Sequence, residues 1–175
     1  LVGSEMCIRD RDSIAAALSY SYLKRRLGMD AVAVRAGEIN KESRFALDYF
    51  DLEEPILVTS VARKNPEDEK QKVILVDHNE SKQTIDGMDD AEVLEIIDHH
   101  RFGDFESENP IFILVRPVGC VNTVIYGLYK ANHIKPSREI AGIMLSAIIS
   151  DTVLFRSPTT TEEDLSLIHI SEPTR

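Results

Sequence analysis

Two short tracts in this chain set imidazole beside carboxylate. Asp98-His99-His100 follows the apolar run 93–97, and Asp77-His78-Asn79-Glu80 follows the apolar run 73–76. A third tract, Ser150-Asp151-Thr152, follows Ile148 and Ile149. Each apolar segment ends in an Asp, and two of the three carry His directly behind it. Neutral imidazole favours borderline metals such as manganese, cobalt or zinc over magnesium, and a carboxylate has two oxygens with which to span two cations. Two cations about 3.5–4 Å apart lower the pKa of a shared water from about 15.7 toward ~7, which makes hydroxide available at neutral pH. These residue types and spacings point to a polynuclear metal site.

Such chemistry requires the three tracts to meet. In an open parallel sheet the carboxyl ends of the strands lie along one edge, so strand-terminal acids far apart in sequence converge at one crevice. The rest of the chain reads as the elements of such a sheet. Residues 12–27 form a predicted helix, with Ile14, Leu18 and Tyr22 four apart and Gly28 supplying the stop. A short β-rich run at 31–34 precedes a second helix at 41–50, carrying Phe45, Leu47, Tyr49 and Phe50, and Pro55 breaks it. Residues 56–62 fit a strand or a helical turn, and 63–72, dense in charge around Pro66, reads as a solvated loop. The strands 73–76 and 93–97 flank a stretch, 81–91, of turn and short-helix character.

Beyond them, 102–109 reads as a surface excursion and 111–115 as a fourth strand, followed by a loop at 116–119. Helices are predicted at 121–132 and 139–150, the latter preceded by Pro136 and carrying Ala141, Met144, Leu145 and Ile148 on one face. The last apolar pair, Ile148 and Ile149, thus belongs by periodicity to a helix, although the Asp behind it is grouped with the strand-terminal acids. Alternation of strand and helix, with continuous apolar strands, predicts an α/β fold with a mostly parallel sheet and helices on both faces.

Composition narrows the function. The 175 residues carry 20 Lys plus Arg against 30 Asp plus Glu, a formal charge of −10, which argues against a duplex-nucleic-acid binder working through a basic face. An acidic chain that handles an anionic substrate needs cations in between, and bound divalent metals supply them. Two cysteines, Cys7 and Cys120, form no CxxC and no disulfide framework, as expected of a reduced, cytoplasmic protein. No run approaches the ~18 apolar residues of a membrane span.

In order and spacing, Asp77-His78-Asn79-Glu80, Asp98-His99-His100-Arg101 and Ser150-Asp151-Thr152 resemble the signature of the family II inorganic pyrophosphatases, manganese- or cobalt-dependent members of the DHH phosphoesterase superfamily. The resemblance spans roughly 12–165 and includes Gly37-Glu38-Ile39-Asn40, Ala46-Leu47-Asp48-Tyr49-Phe50, Pro117-Val118-Gly119-Cys120 and Phe155-Arg156-Ser157-Pro158-Thr159. It implies a Rossmann-like DHH domain in which Asp77 bridges two metals, His99 and Asp151 complete one of them, and His100 faces the substrate phosphate as the catalytic donor. It further implies manganese or cobalt as cofactor, with magnesium accompanying substrate, pyrophosphate as substrate, and a homodimer. Arg101 divides evenly between holding a phosphate and pairing with a local acid such as Asp104.

The N-terminus departs from the family pattern, which opens with a strand and a Gly-His-x-Asn-Pro-Asp-x-Asp loop whose His and two Asp bind metal. Asp12 falls on the last of these ligands, Asp10 on the other Asp, and Met6 on the His. Residues 1–11 and 166–175 resemble adapter-derived sequence, so the expectation is a truncated catalytic domain at 12–165. Its first strand would be lost, and the C-terminal substrate-clamping domain of the full enzyme would be absent. On that expectation the parent hydrolyses pyrophosphate and the fragment is inactive. Alternatives are a DHH phosphodiesterase acting on short oligonucleotides or cyclic dinucleotides, and a fragment that binds metal or dimerises without turnover. Blander roles fit other residues: His78 as a partner supporting Asp77, His133 as a solvated helix end, Gly119 as a turn, and Cys120 as a small buried side chain.

Overall fold

Among the described residues the chain folds around a six-stranded parallel sheet of order β3-β2-β1-β4-β5-β6. The structure, a computed structural model, describes residues 2–4, 11–79, 85–103 and 105–169, with side chains described for 13–79, 85–103 and 105–168. The strands are β1 (Val2–Ser4), β2 (Ala33–Arg35), β3 (Ile56–Leu57), β4 (Lys72–Val76), β5 (Glu92–Asp98) and β6 (Phe112–Val115). The helices are α1 (Arg11–Arg26), α2 (Lys41–Tyr49), α3 (Val121–Ala131), α4 (Arg138–Asp151) and the short α5 (Glu162–Ser166).

Strand order reverses between β1 and β4, which places the switch point of an open α/β sheet, where ligands gather beyond the carboxyl ends of the strands, beside the end of β4. Val2 pairs with Ala33 on one side and Ile74 on the other. The sequence reading expected this first strand to be lost, and the structure corrects that. Val-Gly-Ser supplies the backbone donors and acceptors that the slot between β2 and β4 requires, and a ladder needs nothing more specific than non-proline residues of extended habit.

Alternation along β4 divides the core. Ile74 and Val76, with Ile97 of β5, face a cluster containing Ala16, Tyr20 and Leu23 of α1 and Val124, Ile125 and Tyr129 of α3. Val73, Leu75 and Ile96 point the other way, against Val61 and Met88. One face is therefore covered by α1 and α3, with α4 packed across them; the other, where helices were expected as well, is covered among the described residues by the 3-10 turn Met88–Asp90 and loop segments, because the 56–72 connection there is too polar, and the 85–91 connection too short, to form a longer helix. Each aliphatic side chain buried this fully is worth roughly 1.5–3 kcal/mol.

Helix ends follow local chemistry. Gly28, at φ 89, ends α1 in the left-handed conformation that suits glycine. Asn40 caps α2 through its bond from the Ser43 N–H, and Ser137 caps α4 through Ile140. At the far end, Leu167 is buried in the cluster of α1, α2 and α4, whereas Ile168 is 44% exposed; Ile170 lies outside the described residues.

Candidate metal centre

Asp77 sits where β4 gives out. Its N–H still donates to the Ile97 carbonyl at 2.8 Å, but its φ of 62° turns the chain away from the sheet. Left-handed backbone is uncommon for any residue with a Cβ and costs on the order of 1–3 kcal/mol, least for Asp and Asn. The turn leaves the carboxylate buried under α1, where the Ser13 hydroxyl donates to Oδ2 at 2.6 Å. Oδ1 faces His99, 3.4 Å from Nε2.

The two histidines hang from the end of β5, each oriented by a different acceptor. His99 Nδ1 lies 2.9 Å from the Val118 carbonyl. A carbonyl oxygen only accepts, so Nδ1 carries the hydrogen, and in the neutral ring the lone pair is on Nε2, the atom 3.4 Å from Asp77 Oδ1. His100 Nδ1 lies 2.8 Å from Asp98 Oδ1 and 3.7 Å from Asp77 Oδ1, and its ring is about half exposed. The two ring centres are 4.2 Å apart.

Asp98, which the sequence reading left without a role, is the hub. It is wholly buried, and Oδ1 accepts the N–H groups of His99 at 2.6 Å and His100 at 3.1 Å in addition to the His100 ring. Oδ2 accepts from the Asn79 amide, which also donates to the Arg101 carbonyl at 3.1 Å and accepts from the Gly103 N–H. Burial pushes the Asp98 carboxyl up, but the His100 ring, the His100 backbone and Asn79 outweigh it and hold the group below the usual carboxylate range. The same bond to Asp98 raises His100 above the ordinary imidazole value, against burial that lowers it. Asn79 thus clips the loop after β4 to the loop after β5. Ser13 and Asn79 were missed from sequence, although the Asn of the Asp-His-Asn-Glu tract was in plain view.

Asp77, His99 and His100 each present one ligand atom, all within 4.8 Å of one another, and form the one such group found among the described residues. One carboxylate oxygen with imidazole nitrogen suits a borderline divalent cation. Asp151 is not in this group. It is the last residue of α4 and not a strand end, because the apolar run before it continues a fourteen-residue helix begun by the Ser137 cap. Behind it Val153, Leu154 and Phe155 all adopt positive φ, a left-handed turn closed by Thr152 Oγ1 accepting the Phe155 N–H at 3.1 Å. Asp12 occupies the second position of α1, its side chain outside the description, and Asp10 and Met6 lie outside the described residues. The Arg101 side chain is exposed. His78 is buried, His133 is exposed just past α3, and Cys120 is wholly buried. Gly119 is more than a turn: its N–H donates to Asp164 Oδ2 at 2.9 Å, so an internal carboxylate takes the place of an external anion.

The family model for the DHH family, N-terminal domain, matches residues 6–148. The chain belongs to the DHH family. Within the matched span lies Asp98-His99-His100, whose geometry here is that of one positioning acid and two presented imidazoles. The DHH chain is 48% identical over 157 residues to the manganese-dependent inorganic pyrophosphatase of Bacillus subtilis, covering 90% of this chain and 49% of that protein. It is 51% identical over 156 residues to a probable manganese-dependent inorganic pyrophosphatase of Bacillus licheniformis, with 89% and 49% covered. The chain spans about half the length of the curated relatives it matches. Among solved structures, a putative family II inorganic pyrophosphatase of Methanococcus jannaschii superposes with a TM-score of 0.83 at 36% identity, covering 99% of this chain and 57% of that one. An exopolyphosphatase-related protein of Bacteroides fragilis, 18% identical with a TM-score of 0.64 over 99% of this chain and 56% of that one, shares the fold.

Proposed function

We propose that the protein to which this domain belongs is a manganese-dependent inorganic pyrophosphatase, hydrolysing pyrophosphate to two phosphates, and that residues 12–165 are its metal-binding catalytic domain. The observation that carries the proposal is the opposition of His99 Nε2 and Asp77 Oδ1 at 3.4 Å, with the His99 ring held by the Val118 carbonyl so that its lone pair is on Nε2. The names of the relatives, at about half identity across nearly all of this chain, support manganese and pyrophosphate.

On this reading Asp77 and His99 hold the metal, with Asp151, Asp12 and Asp10 as further ligands that complete a two-metal set. Bound manganese supplies Lewis-acid activation of water and of the phosphoryl oxygens at neutral pH. The chain's own residues do the rest. Ser13 holds one oxygen of Asp77 and leaves the other directed at His99. His100, fixed through Nδ1 by Asp98 and half exposed, presents Nε2 outward as a donor to a phosphate oxygen, with Arg101 beside it. A homodimer and a cytoplasmic location belong to the same proposal.

The test is phosphate release from pyrophosphate with manganese, run on a protein of the relatives' full length and on the 175-residue chain. The proposal expects turnover in the first and little in the second, with His100→Ala lowering the rate of the first by on the order of a hundredfold or more. Preference for a nucleotide phosphodiester over pyrophosphate would assign the protein to the phosphodiesterases instead.

A further inference from the structure

The peptide bond between Val118 and Gly119 is hydrogen-bonded at both ends. Its carbonyl accepts from His99 Nδ1 at 2.9 Å, and its N–H donates to Asp164 Oδ2 at 2.9 Å. Asp164 lies 45 residues beyond Gly119, in α5, and is wholly buried. Its Oδ2 also accepts the Thr161 N–H and hydroxyl, both at 2.7 Å, and its Oδ1 accepts the Thr123 hydroxyl at 2.6 Å. Two backbone N–H groups, those of Gly119 and Thr161, and two hydroxyls are thus gathered around one side chain. The approach is tight: a Cβ on residue 119 would meet Thr152 Cγ2 at 2.8 Å and Asp164 Oδ2 at 2.9 Å, so glycine is what lets carboxylate and peptide meet.

From this geometry we infer that Asp164 is a positioning residue for His99, acting through the Val118–Gly119 peptide. The inference rests on the proposal that His99 binds the metal. A carboxylate on the N–H side of a peptide draws that hydrogen toward itself and makes the carbonyl on the other side a stronger acceptor, since hydrogen bonds in a chain polarise one another. The stronger acceptor holds the hydrogen on Nδ1, keeps the ring in one plane and directs a more basic Nε2 lone pair at Asp77 and any cation there. Carboxylate support of a metal-binding imidazole is usually direct; here one peptide unit stands between. The arrangement also ties α5 and the start of α3, elements on the far side of the 116–119 loop, to the orientation of one ring in the metal centre.

The variant that isolates the effect is Asp164→Asn. Its amide oxygen can keep the bonds from Gly119 and Thr161 while its NH2 donates to the Thr123 hydroxyl, which turns to accept. The fold stays and the charge goes. In the metal-free 175-residue chain, nitrogen-15 NMR of the imidazoles is expected to show His99 with its hydrogen on Nδ1, and the Gly119 amide proton shifted far downfield and slow to exchange. In Asp164→Asn the His99 ring is expected to become a mixture of tautomers, and manganese affinity to fall by about tenfold, the lower end of what loss of an orienting partner costs. Glu163→Gln removes the neighbouring bidentate Arg116–Glu163 pair, at 2.8 and 2.7 Å, without touching the peptide, and should change neither reading.

An Asp164→Asn chain with the wild-type tautomer and manganese affinity would overturn the inference, as would a wild-type His99 with its hydrogen on Nε2. If Asp164→Asn fails to fold, the wild-type tautomer and the Gly119 amide decide alone. Failure of the underlying site proposal reads differently: His99→Ala would bind manganese as tightly as wild type, whatever the tautomer result.

Discussion

The Ser13 hydroxyl donates to Asp77 Oδ2 at 2.6 Å across 64 residues of sequence, tying the first turn of α1 to the end of β4. This bond fixes which oxygen of Asp77 turns toward His99. Ser13→Ala removes it and frees the carboxylate to rotate while leaving the helix intact. Manganese affinity of the variant, measured by titration, is expected to fall by roughly tenfold with little change in thermal midpoint. An affinity equal to wild type would show that backbone geometry alone orients Asp77.

Much of this was legible in the sequence, and the part that was not has a common cause. Continuous apolar runs marked β4 and β5, and three- to four-residue periodicity marked α1 and α4, because burial on one face or two leaves its period in the residue types. The tracts behind β4 and β5 announced Asp77, His99 and His100 for the same reason, since a strand's end is readable and the polar residues directly behind it stand at the carboxyl edge of the sheet. Asp151 was grouped with strand-terminal acids because a short apolar pair looks alike at the end of a strand and of a helix; the fourteen residues of α4 decide otherwise. The pairing of Val2–Ser4 between β2 and β4 leaves no periodic trace in three residues. Ser13, Asn79 and Asp164 do their work across 64, 19 and 45 residues, and a single polar residue carries no mark of a partner so distant.

Packing of α2 against α4 leads to a prediction about stability. Gly142 lies in α4, and a Cβ there would run into the Phe50 ring, which lies just past the end of α2. Alanine ordinarily stabilises a helix interior relative to glycine by roughly 0.8–1 kcal/mol. Here the ring has to move, and overpacking costs about 1–3 kcal/mol, so Gly142→Ala is expected to be net destabilising in urea titration. A stabilised variant would mean that Phe50 shifts freely.

A third prediction concerns acid. Arg63 donates to Asp90 from its side chain, the shortest bond being 2.6 Å, and from its backbone at 2.9 Å, and these bonds hold the Asp90 carboxyl down at about 2. A carboxyl depressed in the folded state contributes stability that is complete above its unfolded value of about 3.9 and is lost as pH falls through the folded value. The difference in thermal midpoint between wild type and Asp90→Asn should therefore be constant above about pH 5 and shrink between about pH 4 and 2. A gap that widens with falling pH would contradict the assignment.

On the proposed function, Asp77 and His99 hold a divalent metal at the carboxyl edge of the sheet, beside the switch point. Manganese titration of the 175-residue chain, followed through the electron paramagnetic resonance signal of free Mn2+, tests it most directly when repeated with Asp77→Asn and His99→Ala, each checked for retained fold by circular dichroism. Saturable binding by the wild-type chain and its loss in both variants are expected. Folded variants that bind manganese as tightly as the wild-type chain would contradict it.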